Sequence, residues 1–369
     1  MSVYKIFPTA DTTLYSAYPD KNAGLDEILE VSVKNNIASA TYMVPSVTSS
    51  AAIKDDLRRS IIFFSDQDIS TIQGFATGSW QAGLKLYLAN AENLETTYSV
   101  EVGQVASNWD RGTGKFADYP DTINGACWYS PTYYVSSSNS WTAGTSSYYL
   151  TPGGGDYLNN FVQQDFGYKD SKDLNVDVTY IVNHWFSRQY NRGFLIKHID
   201  SVENDPNSYI ALSFFSVDTH TIYPPTLEMR WDDSSYTTGS LSVINNNQFL
   251  ASIDNNLCNF KYNTQKYRFK VNARDKYPAR SFATSSIYTV NKALPKESYW
   301  ALQDLKTEDM LIDFDTTYTK ISCDGTNSYF DVYMKGLEPE RYYKILMRVN
   351  LPDGESIELD NNYIFKIIR

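Results

Sequence analysis

Reactive side chains are scarce in this 369-residue chain. Its three histidines, His184, His198 and His220, are joined by no HExxH or related spacing, so no metal centre or histidine-based triad is written into it. Its three cysteines, Cys127, Cys258 and Cys323, lie far apart without a CxxC pair, and so odd and sparse a set supports neither a disulfide framework nor a zinc site. No Gly-x-Ser-x-Gly elbow is present to raise a lipase-like serine. Positive charge is also short: 32 Lys and Arg stand against 43 Asp and Glu, a formal net charge of -11, which argues against a protein that binds the phosphate backbone of nucleic acid. The apolar runs, such as "SIIFF" at 60–64, are far below the roughly 20 residues that cross a bilayer as a helix. The opening "MSVYKIFPTADTT" carries no basic region followed by a long apolar stretch. No signal peptide and no membrane partner are therefore expected, and the chain is expected to be made in a cytoplasm and to stay soluble.

What is abundant is tyrosine, 30 residues of it, in a chain that is 42% hydrophobic and 20% charged. Such a balance builds a globular core, and tyrosine suits half-buried strand positions and protein interfaces. Short strand patterns dominate: "DEILEVSV" (26–33), "RSIIFFS" (59–65), "AGLKLYLAN" (82–90), "TYSVEVGQV" (97–105), "RGFLIKHI" (192–199), "YIALSFFSV" (209–217) and "PPTLEMRW" (224–231). Polar turns separate them without the helices that a parallel sheet would need. One stretch differs. "DVTYIVNHWFSRQ" (177–189) offers Asp177 and Thr179 as caps and sets Ile181, Val182 and Trp185 on one face, which predicts a single short helix. The Ser-rich stretch before "TPGGGDY" (151–157) reads as a long ordered loop, because Trp141, Tyr148 and Tyr149 are costly to leave in water. A shift of composition at "DDSSYTTGS" (232–240) marks a boundary. Beyond it, strands are predicted at 266–275, 280–290 and in the series "MLIDFD", "TYTKIS", "YFDVYM", "YYKILMRV" and "YIFKII". The expected domains are 1–235, a connecting or additional β unit at 236–296, and 297–369.

The stretch that looks most chemical is "WDRGTGKFADYPDTINGACWYSP" (109–131). Lys115 follows Gly114 as in a phosphate loop, but Trp109 occupies the position of the first Walker glycine and Phe116 follows the lysine. Gly112-x-Gly114-x-x-Ala117 has the outline of a dinucleotide fingerprint without a βαβ unit around it. A loop leaving a strand, with Trp109 and Trp128 packed at a sandwich edge, is the simpler reading. Asp118, Asp121 or the 151–156 loop could hold Ca²⁺, though no EF-hand pattern supports it. The acidic pairs "DD" (232–233) and "DFD" (313–315) do not single out a glycosidase; the second reads as strand alternation around Phe314. Trp80, Trp109, Trp128, Trp141, Trp185, Trp231 and Trp300 could stack on sugars but are expected mainly as core and edge packing. No catalytic, metal-binding or cofactor-binding residue is assigned, and no cofactor is expected.

Two resemblances carry further. The ordered series "ADTTLYSAYPDKNAGLDEILEVS", "RRSIIFFS", "LKLYLAN", "SNWDRGTGKFADYP", "NGACWYSP", "TPGGGDY", "DVTYIVNHW", "NRGFLIK" and "PPTLEMRW", within residues 7–231, resembles the DNRLRE-type domain, a jelly-roll-like relative of carbohydrate-binding modules. In "LEPERYY" (337–343), Leu337, Pro339 and Tyr343 are spaced like the tyrosine corner of fibronectin type III sandwiches. The tail from about 265 is similar to C-terminal modules of tailed-bacteriophage virion proteins. The resemblances imply an all-β chain: an N-terminal jelly-roll-like sandwich with one short helix, then immunoglobulin- or fibronectin-like sandwich units. They imply a non-enzymatic virion component, a capsid decoration, neck, collar or fibre-associated protein in multiple copies, assembled in a host cytoplasm. Its partners would be other virion proteins and host surface polysaccharide; the alternative is a carbohydrate-binding module acting without catalysis. The segment 245–267 carries Phe249, Leu250, Ile253, Leu257, Phe260, Tyr262 and Tyr267 with no clean period. It is expected to bury them against a partner chain or against a neighbouring domain of its own, and residues 240–369 to make the contacts with neighbouring virion proteins.

Overall fold

The computed structural model describes residues 2–34, 56–75, 78–95, 97–132, 140–141, 153–170, 172–188, 190–205, 207–262, 264, 266–278 and 289–369. The strand expected at 280–290 and the start of the 151–157 loop lie largely outside them. The chain is all-β and sandwich-like, as its alternating patterns predict. It divides into two compact units. The first comprises Ile6–Gln73 and Ala82–Leu227, the second Met1–Lys5, Gly74–Gln81 and Glu228–Arg369.

In chain order the elements up to the last crossing are β1 (Ser2–Ile6), β2 (Ala10–Tyr15), β3 (Ile28–Lys34), β4 (Asp56–Phe63), α1 (Asp66–Phe75), β5 (Trp80–Leu86), β6 (Leu88–Glu92) and β7 (Tyr98–Gln104). Then follow β8 (Val162–Phe166), β9 (Leu174–Asp177), α2 (Thr179–Arg188), β10 (Phe194–His198), α3 (Asp200–Glu203), β11 (Tyr209–Phe215) and β12 (Thr226–Trp231). The first unit is built on an eight-stranded sheet, β6-β11-β3-β4-β10-β7-β8, with β2 also on β4. β4 is its hub: Leu57 faces Val33, Ile61 faces both Thr12 and Leu195, and all these pairings are antiparallel. Leu14, Val33, Leu57, Ile61, Leu195 and Ile210 share one buried cluster with Trp128 and Trp141.

The helix predicted at 177–189 is α2. Asp177 caps it by accepting the Thr179 amide at 2.8 Å, and Ile181, Val182 and Trp185 are buried. The expectation of one helix falls short, since α1 and α3 are also present. α1 opens at Ser65, whose hydroxyl accepts the Asp68 amide at 3.1 Å and donates to the Asp68 carboxylate at 3.1 Å.

The second unit adds β13 (Tyr236–Thr237), β14 (Phe249–Ile253), β15 (Asn259–Lys261), β16 (Tyr267–Asp275), β17 (Ser298–Asp304), β18 (Met310–Ile312), β19 (Ser322–Asp324), β20 (Ser328–Val332), β21 (Tyr342–Asn350) and β22 (Ser356–Ile368). They form two five-stranded sheets, β13-β19-β20-β16-β14 and β15-β22-β21-β17-β18, over one core. Aromatic rings bridge the sheets: Trp300 on β17 stacks on Phe330 of β20 with centroids 5.2 Å apart, and Phe269 on β16 lies 5.8 Å from Phe365 on β22. Residues 236–296 therefore supply strands to the same sandwich as 297–369, and the division expected at 296 falls inside it. The 245–267 segment finds its burial at home. Phe249, Ala251 and Ile253 alternate inward along β14, and Phe260 of β15 joins the same core, whereas Leu250 and Leu257 face solvent.

Tyr343 forms the predicted corner. Its ring is 2% exposed, and its hydroxyl donates to the Glu338 carbonyl at 3.1 Å. Tyr343→Phe keeps the ring and removes that bond, so a loss of about 1 kcal/mol is expected in urea unfolding. A change indistinguishable from zero would remove the corner's energetic role.

Candidate functional site

The loop that looks most chemical is a closed joint of the first unit. Asn22, fully buried, donates through Nδ2 to the Arg111 and Ala126 carbonyls at 2.8 and 2.9 Å. A phosphate nest needs consecutive unclaimed amides. Here four in a row are claimed by side chains: Thr113 by Asn124, Gly114 by Asn22, Lys115 by Asp118 and Phe116 by Asp26, at 2.8–3.2 Å. Gly112 sits at φ +74°, and a Cβ there would come within 2.0 Å of the Asn124 carbonyl oxygen. The glycine spacing thus serves close packing rather than a ligand.

The remaining residues of the stretch have similar duties. Lys115 lies 3.5 Å from Glu27 at the surface, and Asp121 pairs with Lys21 at 2.9 Å. The Lys115 amide and the Thr122 hydroxyl hold the Asp118 carboxyl below the usual carboxylate range. Among the described residues no group of three or more His, Cys, Asp and Glu is placed to hold a metal. Burial pushes the Cys127 thiol up to about 11, far from a reactive thiolate.

The histidines do not converge. His184 contacts Gln104 at 2.9 Å, and His220 is exposed 3.6 Å from Glu27. His198 is buried, with Nδ1 3.3 Å from the Ser99 carbonyl, and its burial keeps the imidazole pKa below the ordinary value. The acids of "DFD" follow β18 instead of alternating in a strand: Asp313 accepts the Phe314 amide, and Asp315 accepts those of Thr317 and Tyr318. Trp128, Trp141, Trp185, Trp231 and Trp300 are all buried, and Trp109 donates to the Arg192 carbonyl at 2.9 Å. Among the described residues the most exposed rings are tyrosines, with Tyr119 98%, Tyr168 81% and Tyr277 73% exposed.

Sequence reasoning missed a buried ionic network in the first unit. Arg59 on β4 forms a two-pronged pair with Glu203 of α3 at 3.0 and 2.6 Å, donates to the Gly154 carbonyl at 3.1 Å and lies over the Trp128 ring. Burial opposes the guanidinium charge, but Glu203 overrides it and raises the pKa. Lys197 on β10 is 2.5 Å from Glu101 and 2.7 Å from Asp200. Burial opposes its charge too, and the carboxylates, Glu203 foremost, keep it protonated. The network fastens α3 to the sheet.

Open clefts occur in both units. One in the first unit, about 750 Å³, is lined by Asn93, Glu95, Thr97, Tyr168, Lys169 and Asp170 among others. A second there, about 670 Å³, is rich in acids, with Asp165, Asp170 and Asp177. The second unit has one of about 650 Å³ along β14, β16 and β22. No helix among the described residues is long and apolar enough to cross a membrane.

No family model matches the chain, and no curated protein does. Among solved structures, the glycoside hydrolase domain of Endo-D from Streptococcus pneumoniae R6 aligns with 99% of this chain at 7% identity and a TM-score of 0.13, a likeness too slight to carry an argument about fold or activity. The chain spans 37% of that protein's length.

Proposed function

We propose that this chain is a non-catalytic structural component of a tailed-phage particle, a decoration, neck, collar or fibre-associated protein, made in the host cytoplasm and present in several copies. The observation that carries the reading is the fate of the 109–131 loop, whose amides, glycines and acids are spent on holding the scaffold together. The ordered resemblance to a DNRLRE-type domain and the fibronectin-like corner at Tyr343 support it from the sequence side. Exposed tyrosines on both units, such as Tyr119, Tyr168 and Tyr342, provide the side-chain type favoured where proteins meet. Purified particles, analysed by quantitative mass spectrometry, are expected to contain the chain at a fixed ratio to the capsid protein. Its absence from washed particles would overturn the proposal.

A second reading, recognition of a cell-surface polysaccharide without catalysis, is favoured by the open polar cleft of the second unit. The tryptophans do not support it, because five of the seven are buried. Any such site must rest on other side chains.

A further inference from the structure

We propose that the cleft along β14, β16 and β22 binds an oligosaccharide that carries carboxylate groups. The inference deepens the carbohydrate-recognition reading and rests on it. It does not depend on membership of a particle.

The first argument is charge. In a chain of net charge -11, no acidic side chain among the described residues lines this cleft, and the one charged lining group among them is Arg274. Both clefts of the first unit contain carboxylates that would repel an anion. Arg268, Arg341 and Arg348 of the same unit are each committed to a carboxylate. Arg274 makes no ion pair among the described residues and donates only to the Asp275 carbonyl at 3.3 Å. The neighbouring Asp275 is itself neutralised by Lys292 at 2.7 Å. Asp254 is likewise engaged, accepting from the Asn272 and Ser252 side chains. An arginine left with most of its fork unclaimed, its nearby acids already partnered, suits a carboxylate held through two parallel hydrogen bonds.

The second argument is the polar floor. Asn291 accepts the Ala273 amide at 3.1 Å and donates to the Thr326 carbonyl and the Asn327 side chain at 3.0 Å each. Those bonds fix the amides of the cleft before any ligand arrives, which lowers the ordering cost of binding. Asn361 donates to the Ala251 carbonyl at 2.9 Å, which leaves its side-chain oxygen open to accept. Amides that donate and accept at fixed positions match sugar hydroxyls, which do both. Tyr363, partly buried, and the exposed Leu250 and Val290 supply apolar surface for the C–H faces of pyranose rings. The volume of about 650 Å³ lies within the range of small-ligand sites, about 300–1,000 Å³.

Titration calorimetry on the intact chain tests this with two probes, tetragalacturonate and the neutral maltotetraose. The uronate is expected to bind, more weakly as salt rises, and maltotetraose to bind at least about tenfold more weakly. Arg274→Ala should weaken uronate binding about 10- to 100-fold, the worth of hydrogen bonds to a charged group. Arg274→Lys, which keeps the charge and loses the fork, should fall between wild type and Arg274→Ala and decides the matter if the alanine variant is unstable. Arg348→Ala, at an arginine paired with Glu358 and outside the lining of the cleft, should leave binding unchanged. The proposal is overturned if tetragalacturonate does not bind, if both probes bind equally, or if neither Arg274 variant loses affinity. Particle mass spectrometry is independent of these outcomes, so failure here leaves the virion reading standing.

Discussion

Glu203→Gln is expected to destabilise the first unit by about 3–5 kcal/mol, the cost of leaving one member of a buried ion pair without its partner. Arg59 and Glu203 have side chains only 1% and 4% exposed, so water cannot replace the lost charge. The substitution keeps the shape and one acceptor, which separates the charge from packing. It also leaves Arg59 and Lys197, two cations within one network, with Glu203 no longer offsetting them. The measurement is urea unfolding at pH 7 followed by circular dichroism. Arg59→Met combined with Glu203→Leu should recover most of the loss, because removing both charges avoids the unpaired state. A single variant within 1 kcal/mol of wild type would show that the pair is not desolvated.

The second large effect depends on pH. Asp11 on β2 is buried, its Oδ2 accepts the Val217 amide at 2.7 Å, and no hydrogen-bond partner reaches Oδ1 among the described residues. Burial raises its pKa from 3.8 to about 7, against the opposing pull of the Val217 amide and Arg111. Because the folded pKa lies above the unfolded one, the folded state holds the proton more tightly. The associated stability is fully present below about pH 4 and is lost as pH rises towards 7. Asp11→Asn resembles the protonated form and does not titrate. Relative to wild type it should therefore gain stability between pH 4 and pH 8, by up to about 4 kcal/mol for a shift of this size. Parallel denaturant melts of both proteins at the two pH values check this. A stability difference that stays constant with pH would place Asp11 in water.

How much of this was legible depended on how local each signal was. α2 could be read because its cap and its three buried residues lie within nine positions, Asp177 to Trp185. The corner could be read because Leu337, Pro339 and Tyr343 carry it in seven. β14 was obscured by a single residue: Leu250, exposed, fills the outward position between Phe249 and Ala251 and hides the period of two. α1 was passed over because Ser65 and Asp68 look like loop residues until the helix they cap is known. The buried network joins residues 144 apart in sequence, and no local pattern reports such a pair. It left one trace. Arg59 occupies the same strand face as Leu57 and Ile61, and an arginine in an apolar row asks for a buried partner. Asn22 left none, since its partners lie about 90 to 100 residues away.

The threading of the chain sets a timetable for synthesis. The second unit is built from three separate segments, and Met1–Lys5 are synthesised before any residue of the first unit. The partners of Lys5, Glu228 at 3.0 Å and the Leu311 carbonyl at 2.5 Å, belong to the last segment. At about 5–20 residues per second, the first strand waits on the order of ten to forty seconds before Glu228 is even made. Every residue of the first unit has been synthesised by then. The first unit can therefore mature while the second is still open, and the second unit closes only when its early segments meet the one that begins at Glu228.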